Sequence, residues 1–330
     1  MPNVSNLEKD PLELVADGEP QAIGSSRVEI LHARDVPLGG PRAMNVRRTL
    51  PQRQRSTIGG WCFADHYGPM DVSATGGMDV PPHPHTGLQT VSWLFAGEIE
   101  HRDSLGTVAL IAPGEVNLMT AGRGISHSEV STPATTTLHG VQLWLALPAS
   151  TRSRAPMFEH SVPPVIIRDG ARLRVFIGSL ADARSNVAVF SPLVGAQIDV
   201  APGSSVALEL DPGFEHGVLV DAGPVAVNGT TVEPSDLAYL EPGNDSIRID
   251  ALDSDARVLL LGGEPLDERI VMWWNFIGRS HEEIVEFRAE WQRDVISGAD
   301  ADGRFGTVRG FDGSPLPAPE MPSVRLKPRG

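Results

Sequence analysis

Short β-type segments, separated by corners rich in glycine and proline, run through most of this chain and restrict its fold more than any other feature. The apolar residues Val141, Leu143, Leu145 and Leu147 alternate with other residues, which is the pattern of a half-buried strand. The 34 glycines and 28 prolines are scattered rather than periodic. The strand-like segments of the first series cover residues 90–95, 99–103, 107–111, 115–120, 126–130 and 138–147. Closely spaced short strands of this kind predict an all-β fold built from a sandwich or a barrel.

A second series of short strands begins near Ala155 and ends at about Gly263. It contains Asn228-Gly229, the strongest hairpin signal in the chain. Residues 234–240 resemble residues 113–119, as if one barrel had been duplicated. A chain of 330 residues is long enough for two domains that each bury a core. We therefore predict two tandem barrels, at residues 25–150 and 151–265.

The two ends of the chain differ from these series. Residues 1–24 are acidic and are predicted to form a flexible arm. Near the other end, Ser280 and Glu283 form a capping box, which predicts a helix with Ile284, Phe287, Trp291 and Val295 along one face. We expect this helix to pack against a barrel. Residues 266–330 then form a C-terminal helix and tail, and the tail is either an ordered crossing strap or a loose end.

Charge and composition argue against several functional classes. No apolar run approaches the roughly 18 residues of a membrane helix, and residues 1–24 lack a basic and then apolar leader. The net charge of −15 opposes binding to nucleic-acid backbones and to anionic membranes. The basic stretch at residues 47–55 is interpreted as a solvated hairpin face. The single cysteine, Cys62, fits a reducing cytoplasm and is interpreted as a small core residue.

Two short motifs carry side chains that bind metals. His83 and His85 precede the strand at residues 90–95, and His127 and Glu129 follow a glycine-rich turn. In extended chain, residues i and i+2 point to the same face. If two antiparallel strands hold these pairs opposite each other, three imidazoles and one carboxylate converge, and such a set binds a divalent transition metal. A lone His-x-His pair is often an exposed surface feature without a ligand. The presence of a second pair, His127 and Glu129, at the spacing of neighbouring barrel strands favours a metal site.

These motifs resemble those of a known family. Gly77 and, after five residues, His83-Pro84-His85-Thr86-Gly87 resemble the first cupin motif, and residues 120–129 resemble the second motif as it occurs in pirins. Further stretches that are similar to pirins lie at residues 63–69, 101–106, 139–144 and 263–266. The likeness covers about residues 47–291.

The resemblance implies a bicupin, with two jelly-roll barrels and one Fe(II) in the N-terminal barrel. Its implied ligands are His83, His85, His127 and Glu129. Manganese, nickel, copper or zinc also suit this ligand set. Gln89 stands where many pirins carry glutamate, and we expect this change to alter the surroundings of the metal without loss of the metal.

Other polar residues are given structural roles. Alignment of the hairpin glycines places Glu209 and Asp211 where the first barrel has His83 and His85, so we expect the second barrel to be structural. His101 is interpreted as a satisfied structural histidine, with contact to a ligand as the alternative. His66 is expected near the rim of the site.

The resemblance also implies a function. Some pirins act as quercetin 2,3-dioxygenases, which use dioxygen to cleave a flavonol and release carbon monoxide. Glu129 would then also act as general base, and Leu94, Phe95, Met119 and Trp144 line the substrate pocket or belong to the core. The alternative is a non-catalytic, iron-dependent regulator that binds a partner protein. A third alternative, a metal-free structural cupin, is disfavoured by the complete ligand set.

Overall fold

The structure, a computed structural model, describes residues 28–38 and 44–329. The predicted arm at residues 1–24 lies outside them. The first twelve strands are β1 (Glu29–Leu31), β2 (Arg34–Leu38), β3 (Met44–Leu50), β4 (Trp61–Asp71), β5 (Asp79–His85), β6 (Leu88–Ala96), β7 (Ile99–Asp103), β8 (Val108–Ile111), β9 (Val116–Thr120), β10 (Ile125–Ser131), β11 (Thr137–Ala146) and β12 (Met157–Ser161). The next thirteen are β13 (Ile166–Arg168), β14 (Ala171–Leu180), β15 (Ala183–Arg184), β16 (Leu193–Val200), β17 (Ser205–Glu209), β18 (Glu215–Ala222), β19 (Val225–Val227), β20 (Thr230–Val232), β21 (Leu237–Leu240), β22 (Ser246–Ala251), β23 (Ala256–Gly263), β24 (Val271–Trp273) and β25 (Phe276–Gly278). The helix α1 (His281–Trp291) and a π-helical turn (Gln292–Ile296) follow.

The strands form two barrels of the same topology. In the first barrel, a sheet of order β5-β10-β7-β8 faces a sheet of order β12-β9-β6-β11-β4-β3-β2. In the second barrel, β17-β22-β19-β20 faces β1-β21-β18-β23-β16-β14-β13, and β15 pairs with β14. The eight strands β4–β11 of the first barrel correspond in order to β16–β23 of the second barrel. This correspondence agrees with the predicted duplication. The prediction of an all-β fold with two tandem jelly-roll barrels and a C-terminal helix is confirmed.

The two barrels exchange edge strands. β1 pairs with β21 of the second barrel, with Glu29 opposite Tyr239. β12 pairs with β9 of the first barrel, with Met157 opposite Thr120. The chain therefore crosses between the barrels twice, once just before and once just after the sequence of the first barrel. The domain boundaries near residues 25, 150 and 265 stay a prediction.

A shared apolar core joins the barrels face to face. On β11, Val141, Leu143 and Leu145 pack in one cluster with Phe176 and Leu259 of the second barrel. The intervening residues of β11 face the interior of the first barrel, so this strand is buried on both faces. The alternation on β11 is therefore correct, but the expectation of a half-buried strand is wrong, because the second barrel covers the apolar face while the interior of the first barrel encloses the face that the sequence pattern assigns to solvent.

A buried polar cluster also lies between the barrels. His66 Nε2 and His139 Nε2, both from the first barrel, lie 2.7 Å and 2.6 Å from Asp221 Oδ1 of the second barrel. The other oxygen of Asp221 accepts a hydrogen bond of 3.3 Å from Arg257 Nη1, and Arg47 Nη2 lies 3.5 Å from His66 Nε2. We call these five side chains the inter-barrel cluster. His66 thus lies between the barrels, and its expected place at the rim of the metal site is wrong.

The charges of the inter-barrel cluster favour a hydrogen-bonded contact rather than a cation site. Burial raises the pKa of Asp221, but hydrogen bonds from His139 and His66 outweigh it and leave this pKa below its ordinary value. Burial lowers the pKa of His66 although Asp221 opposes the shift. The two guanidinium groups of the cluster, those of Arg47 and Arg257, would repel an added metal ion. The ionised Asp221 is the anion that holds these groups together.

Part of the basic stretch at residues 47–55 is also buried in contacts. Arg48 donates two hydrogen bonds to Asp65, at 2.6 Å and 2.7 Å, and both side chains are buried. The guanidinium of Arg55 lies 3.3 Å from the ring centroid of Tyr239 in the second barrel. The interpretation as a solvated hairpin face is wrong for these two arginines, because carboxylate and aromatic partners compensate for their desolvation.

The C-terminal region closes one end of the first barrel. Ser280 caps α1 by accepting a 3.3 Å hydrogen bond from the Glu283 backbone nitrogen, as the capping box predicts. The helix buries one face against the β24–β25 hairpin and the tail, rather than directly against a barrel wall. Residues 297–329, which we call the C-terminal strap, cross the first barrel, where Leu316 N donates to Pro82 O at 2.8 Å. No helix within the described ranges is both long and apolar enough to cross a membrane.

One buried histidine of the second barrel makes stability depend on pH. His216 on β18 is buried, and its Nδ1 atom has no hydrogen-bond partner within the described residues. Burial lowers the pKa of this imidazole to about 4, although Asp211 opposes the shift. The folded pKa thus lies below the ordinary value of 6.5, so the unfolded chain binds a proton at a pH where the folded chain does not.

We therefore expect the free energy of unfolding to be highest above pH 6.5 and to fall as the pH drops towards 4. One proton of difference contributes a slope of about 1.4 kcal/mol per pH unit. The variant His216→Phe cannot take up this proton and should lower the slope by close to that amount. Urea unfolding at a series of pH values measures both slopes. Identical slopes would show that His216 keeps an ordinary pKa in the folded chain.

Candidate metal centre

Strand register places the two metal-binding motifs opposite each other. On the antiparallel pair β5–β10, His127 lies opposite His83, and Ile125 lies opposite His85. The register then shifts, so that Glu129 lies opposite Val80. Pro81 and Pro82 lie at this shift, and proline has no N–H group to donate to a strand ladder. The two motifs therefore lie on neighbouring antiparallel strands, which is the arrangement that would bring the three imidazoles and the carboxylate together.

The four predicted residues lie in the buried interior of the first barrel. His83, His85 and His127 each offer a donor nitrogen, and these atoms lie within 4.8 Å of one another. His85 Nε2 and His127 Nε2 are 3.0 Å apart. Glu129, His127 and His101 form a second group, in which one potential ligand atom of each residue lies within 4.8 Å of the others. The structure therefore brings the predicted set together as two overlapping groups that share His127.

Backbone carbonyls fix the proton positions of two of these imidazoles. His83 Nδ1 lies 2.9 Å from Pro81 O, and His85 Nδ1 lies 3.1 Å from Asn275 O. A carbonyl oxygen can only accept, so each Nδ1 carries the proton and donates it, and each neutral ring keeps a bare lone pair on Nε2. Bare nitrogens that face one another in a buried site repel unless a cation lies between them. The donor set therefore fits a metal ion.

The electrostatics of the site agree with that fit. Burial lowers the pKa of His83 to about 4 and the pKa values of His85 and His127 well below 6.5. All three rings are thus neutral at pH 7, the form that binds a metal. Burial also raises the pKa of Glu129, although the neighbouring His101 and a hydrogen bond from Ser92 oppose the shift. Three imidazole nitrogens and one carboxylate suit a divalent transition metal.

Both halves of the chain match pirin models. Residues 43–145 match the pirin family model, and residues 195–296 match the model of the pirin C-terminal cupin domain. The chain belongs to the pirin family. A Pseudomonas aeruginosa protein with the provisional name quercetin 2,3-dioxygenase is 44% identical over 291 residues, which cover 88% of this chain and 89% of that protein. A pirin-like protein of Caulobacter vibrioides is 36% identical over 286 residues, which cover 84% of this chain and 97% of that protein.

Solved structures show the same relationship. The crystal structure of a quercetin 2,3-dioxygenase from Acinetobacter baumannii matches with a TM-score of 0.83 and 39% identity, and the match covers 91% of this pirin and 97% of that chain. The bacterial pirin YhhW of Escherichia coli, solved in complex with nickel(II), shares the fold with a TM-score of 0.57 at 21% identity, over 72% of this chain and all of that one. The predicted pirin resemblance is confirmed.

The interior of this pirin barrel holds polar residues that sequence reasoning missed. Ser92 Oγ lies 3.2 Å from Glu129 Oε1 and 2.9 Å from Gln142 Oε1. The buried hydroxyl of Tyr67 has no hydrogen-bond partner in the described part of the chain. Burial and then the charge of Glu129 raise the pKa of Tyr67, so its hydroxyl stays protonated. Ser92 and Gln142 were detectable, since each is a polar residue between two large apolar residues of a predicted strand.

Gln89 has a different place in this pirin from the one expected. Its Nε2 donates to Thr120 Oγ1 at 2.9 Å and to Ala188 O at 3.0 Å. Gln89 shares a strand face with Val91 and Trp93, which pack in the shared core between the barrels. The expectation that Gln89 alters the surroundings of the metal is therefore wrong, because strand alternation turns it away from the barrel interior.

The second barrel is aliphatic where the first is polar. Its strands β17 and β22 take the places of β5 and β10, and their Leu208, Ile247 and Ile249 belong to its apolar core. Glu209 is exposed and lies opposite Ser246 at the end of this pair. Among the described residues, no group of metal-binding side chains lies wholly within the second barrel.

The predicted pocket residues belong mainly to the core. Leu94, Met119 and Trp144 are buried in apolar clusters. Trp144 also forms an edge-type ring contact with a predicted ligand, with 5.2 Å between its ring centroid and that of His85. Phe95 instead contacts His139 of the inter-barrel cluster.

Proposed function

We propose that this pirin is an iron-dependent dioxygenase that cleaves flavonols such as quercetin with dioxygen and releases carbon monoxide. The observation that carries the proposal is the set of three neutral imidazoles, two of them with protons fixed by backbone carbonyls, gathered with one carboxylate inside a buried polar barrel. The relative from Pseudomonas aeruginosa and the structure from Acinetobacter baumannii, whose names give this activity, support the choice of reaction.

His83, His85, His127 and Glu129 would hold one Fe(II) per chain, and the nickel(II) complex of the Escherichia coli pirin supports metal binding by this fold. When bound, the ion supplies positive charge that acidifies a flavonol hydroxyl, together with open positions for substrate oxygens. The chain itself supplies rigidity. Trp144 stacks on Phe63 with 4.1 Å between ring centroids and packs on His85, which holds that ring in place.

Two side chains would act on the substrate. Glu129 is the carboxylate of the proposed ligand set and would accept the 3-hydroxyl proton of the flavonol on a carboxylate oxygen. Its burial raises its proton affinity, and Ser92 orients Oε1. The hydroxyl of Tyr67 is protonated and without a partner in the described residues. It is therefore available to donate a hydrogen bond to a substrate oxygen.

The variant Glu129→Gln should lose roughly 10²-fold or more in turnover per bound metal, the usual scale for removal of a general base. Glutamine keeps the shape and one oxygen but cannot accept the proton. Metal content has to be measured beside the rate, because metal loss alone would also lower activity. Turnover per metal close to that of the native chain would leave Glu129 as a ligand only.

Oxygen uptake and carbon monoxide release with a panel of flavonols test the reaction, beside elemental analysis of protein from metal-replete cells. We expect iron and flavonol-dependent uptake. Persistent zinc or nickel with negligible iron would contradict the choice of metal. Protein with full iron occupancy that consumes no oxygen with any flavonol would contradict the enzyme and favour a regulator that binds a partner protein.

A further inference from the structure

A further histidine and an aspartate lie on β7, the strand next to the one that carries His127 and Glu129. His101 on β7 is buried beside β10, opposite Glu129, and Asp103 lies opposite His127. His101 Nδ1 is 3.3 Å from His127 Nδ1, and His101 Nε2 is 3.3 Å from Asp103 Oδ2. The His101 ring also stacks on Phe158, with 4.7 Å between centroids. These contacts form one line from the proposed metal ligand to a buried carboxylate.

Asp103 determines which atom donates in each hydrogen bond from Asp103 through His101 to His127. Asp103 Oδ1 accepts from the backbone nitrogens of Leu105 and Thr107, at 2.9 Å and 3.0 Å, which holds the carboxylate in place. A carboxylate accepts, so His101 carries its proton on Nε2 and leaves Nδ1 bare. The contact between the two Nδ1 atoms then requires the proton of His127 on Nδ1. His127 Nε2 is left bare, facing His85 Nε2.

We propose that His101 and Asp103 are positioning residues that set the tautomer and ring orientation of His127 for metal binding. Asp103 orients His101, and His101 orients His127, so the bare Nε2 is in place before any ion arrives. Carbonyl oxygens do the same for His83 and His85. His127 differs because its partner is another side chain, which makes this ligand adjustable by mutation. The inference rests on the metal site proposed above but not on the flavonol reaction.

The test uses cobalt(II) as a visible probe on the metal-free full-length chain, with affinity from chelator competition and site geometry from the cobalt absorption bands. Three substitutions of His101 separate its two nitrogens. His101→Asn keeps an acceptor near the Nδ1 position, His101→Gln places its amide near the Nε2 position, and His101→Phe keeps only the ring. His216→Phe is the matched control, because His216 is as buried but lies in the second barrel.

We expect His101→Phe and His101→Gln to bind cobalt about 10- to 100-fold more weakly, with altered absorption bands. His101→Asn should restore affinity to within about threefold of the native chain, and His216→Phe should bind as the native chain does. Asp103→Asn, which leaves the His101 ring in place, should weaken binding in the same range.

Equal affinity and spectra for the native chain and His101→Gln would overturn the positioning role while leaving the proposed site intact. Equal weakening in His101→Asn and His101→Phe, with lowered melting temperatures, would assign His101 to packing alone. A native chain that binds no cobalt would overturn the site itself and with it this inference.

Discussion

A chain that carries both His83→Ala and His127→Ala should retain no more than trace metal. The double substitution removes two of the three converging nitrogens, one from each of the paired strands. The affinity should therefore fall by more than the roughly 100-fold that loss of an outer partner produces. Elemental analysis and cobalt(II) titration of the metal-free protein measure the loss.

The matched control for this experiment is Glu209→Ala with Asp211→Ala, the residues that sequence alignment places at the corresponding positions of the second barrel. This chain should keep one metal, because the neighbouring interior of that barrel is aliphatic. Two metals per native chain, or a site that survives the loss of both histidines, would contradict a single centre in the first barrel.

Removal of the Asp221 carboxylate should destabilise the protein by about 3–5 kcal/mol, the range observed when one partner of a buried charged contact is removed. Asp221 is buried and is the shared acceptor for His66, His139 and Arg257. In Asp221→Ala the imidazoles of His66 and His139 stay buried without their anion. Urea unfolding of the native and variant chains measures the difference, and the metal content should stay unchanged because the cluster lies outside the ligand set.

Asp199→Ala is the matched control, since Asp199 also accepts from Arg257, at 3.0 Å. Asp199 is partly exposed, and its pair with Arg257 should contribute only about 0–1 kcal/mol. Similar losses for the two variants would mean that burial of Asp221 adds nothing and that the inter-barrel cluster behaves like a surface contact.

Local pattern predicted much of the fold. Period-two alternation and glycine corners identified the strands, and the Ser280 capping box identified the helix. The pattern could not show which face of a strand meets which neighbour. On β11, an apolar face predicts burial, but only the assembled barrels show that Val141 and Leu143 meet the second barrel while Trp144 turns inward. The error at Gln89 has the same origin.

In the candidate site, too, the sequence predicts the proposed ligands but not the partners that orient them. Spacing alone paired His83 with His85 and His127 with Glu129, because residues two apart on a strand share a face. The partners that orient these side chains come from elsewhere. Asn275 accepts from His85 across 190 positions in sequence, and nothing in the sequence near Asn275 marks it as part of the site. Asp221 and His66 likewise meet only because two barrels pack together.

The contact between His85 and Asn275 sets an order of events during synthesis. The strands that carry the four proposed ligands leave the ribosome well before the β24–β25 hairpin that orients His85. A gap of 190 residues corresponds to about 10–40 seconds of translation. Throughout that interval His85 lacks the carbonyl that fixes its proton. We therefore expect tight metal binding only from the finished chain, and a ribosome-bound chain that stops before residue 275 should take up metal poorly.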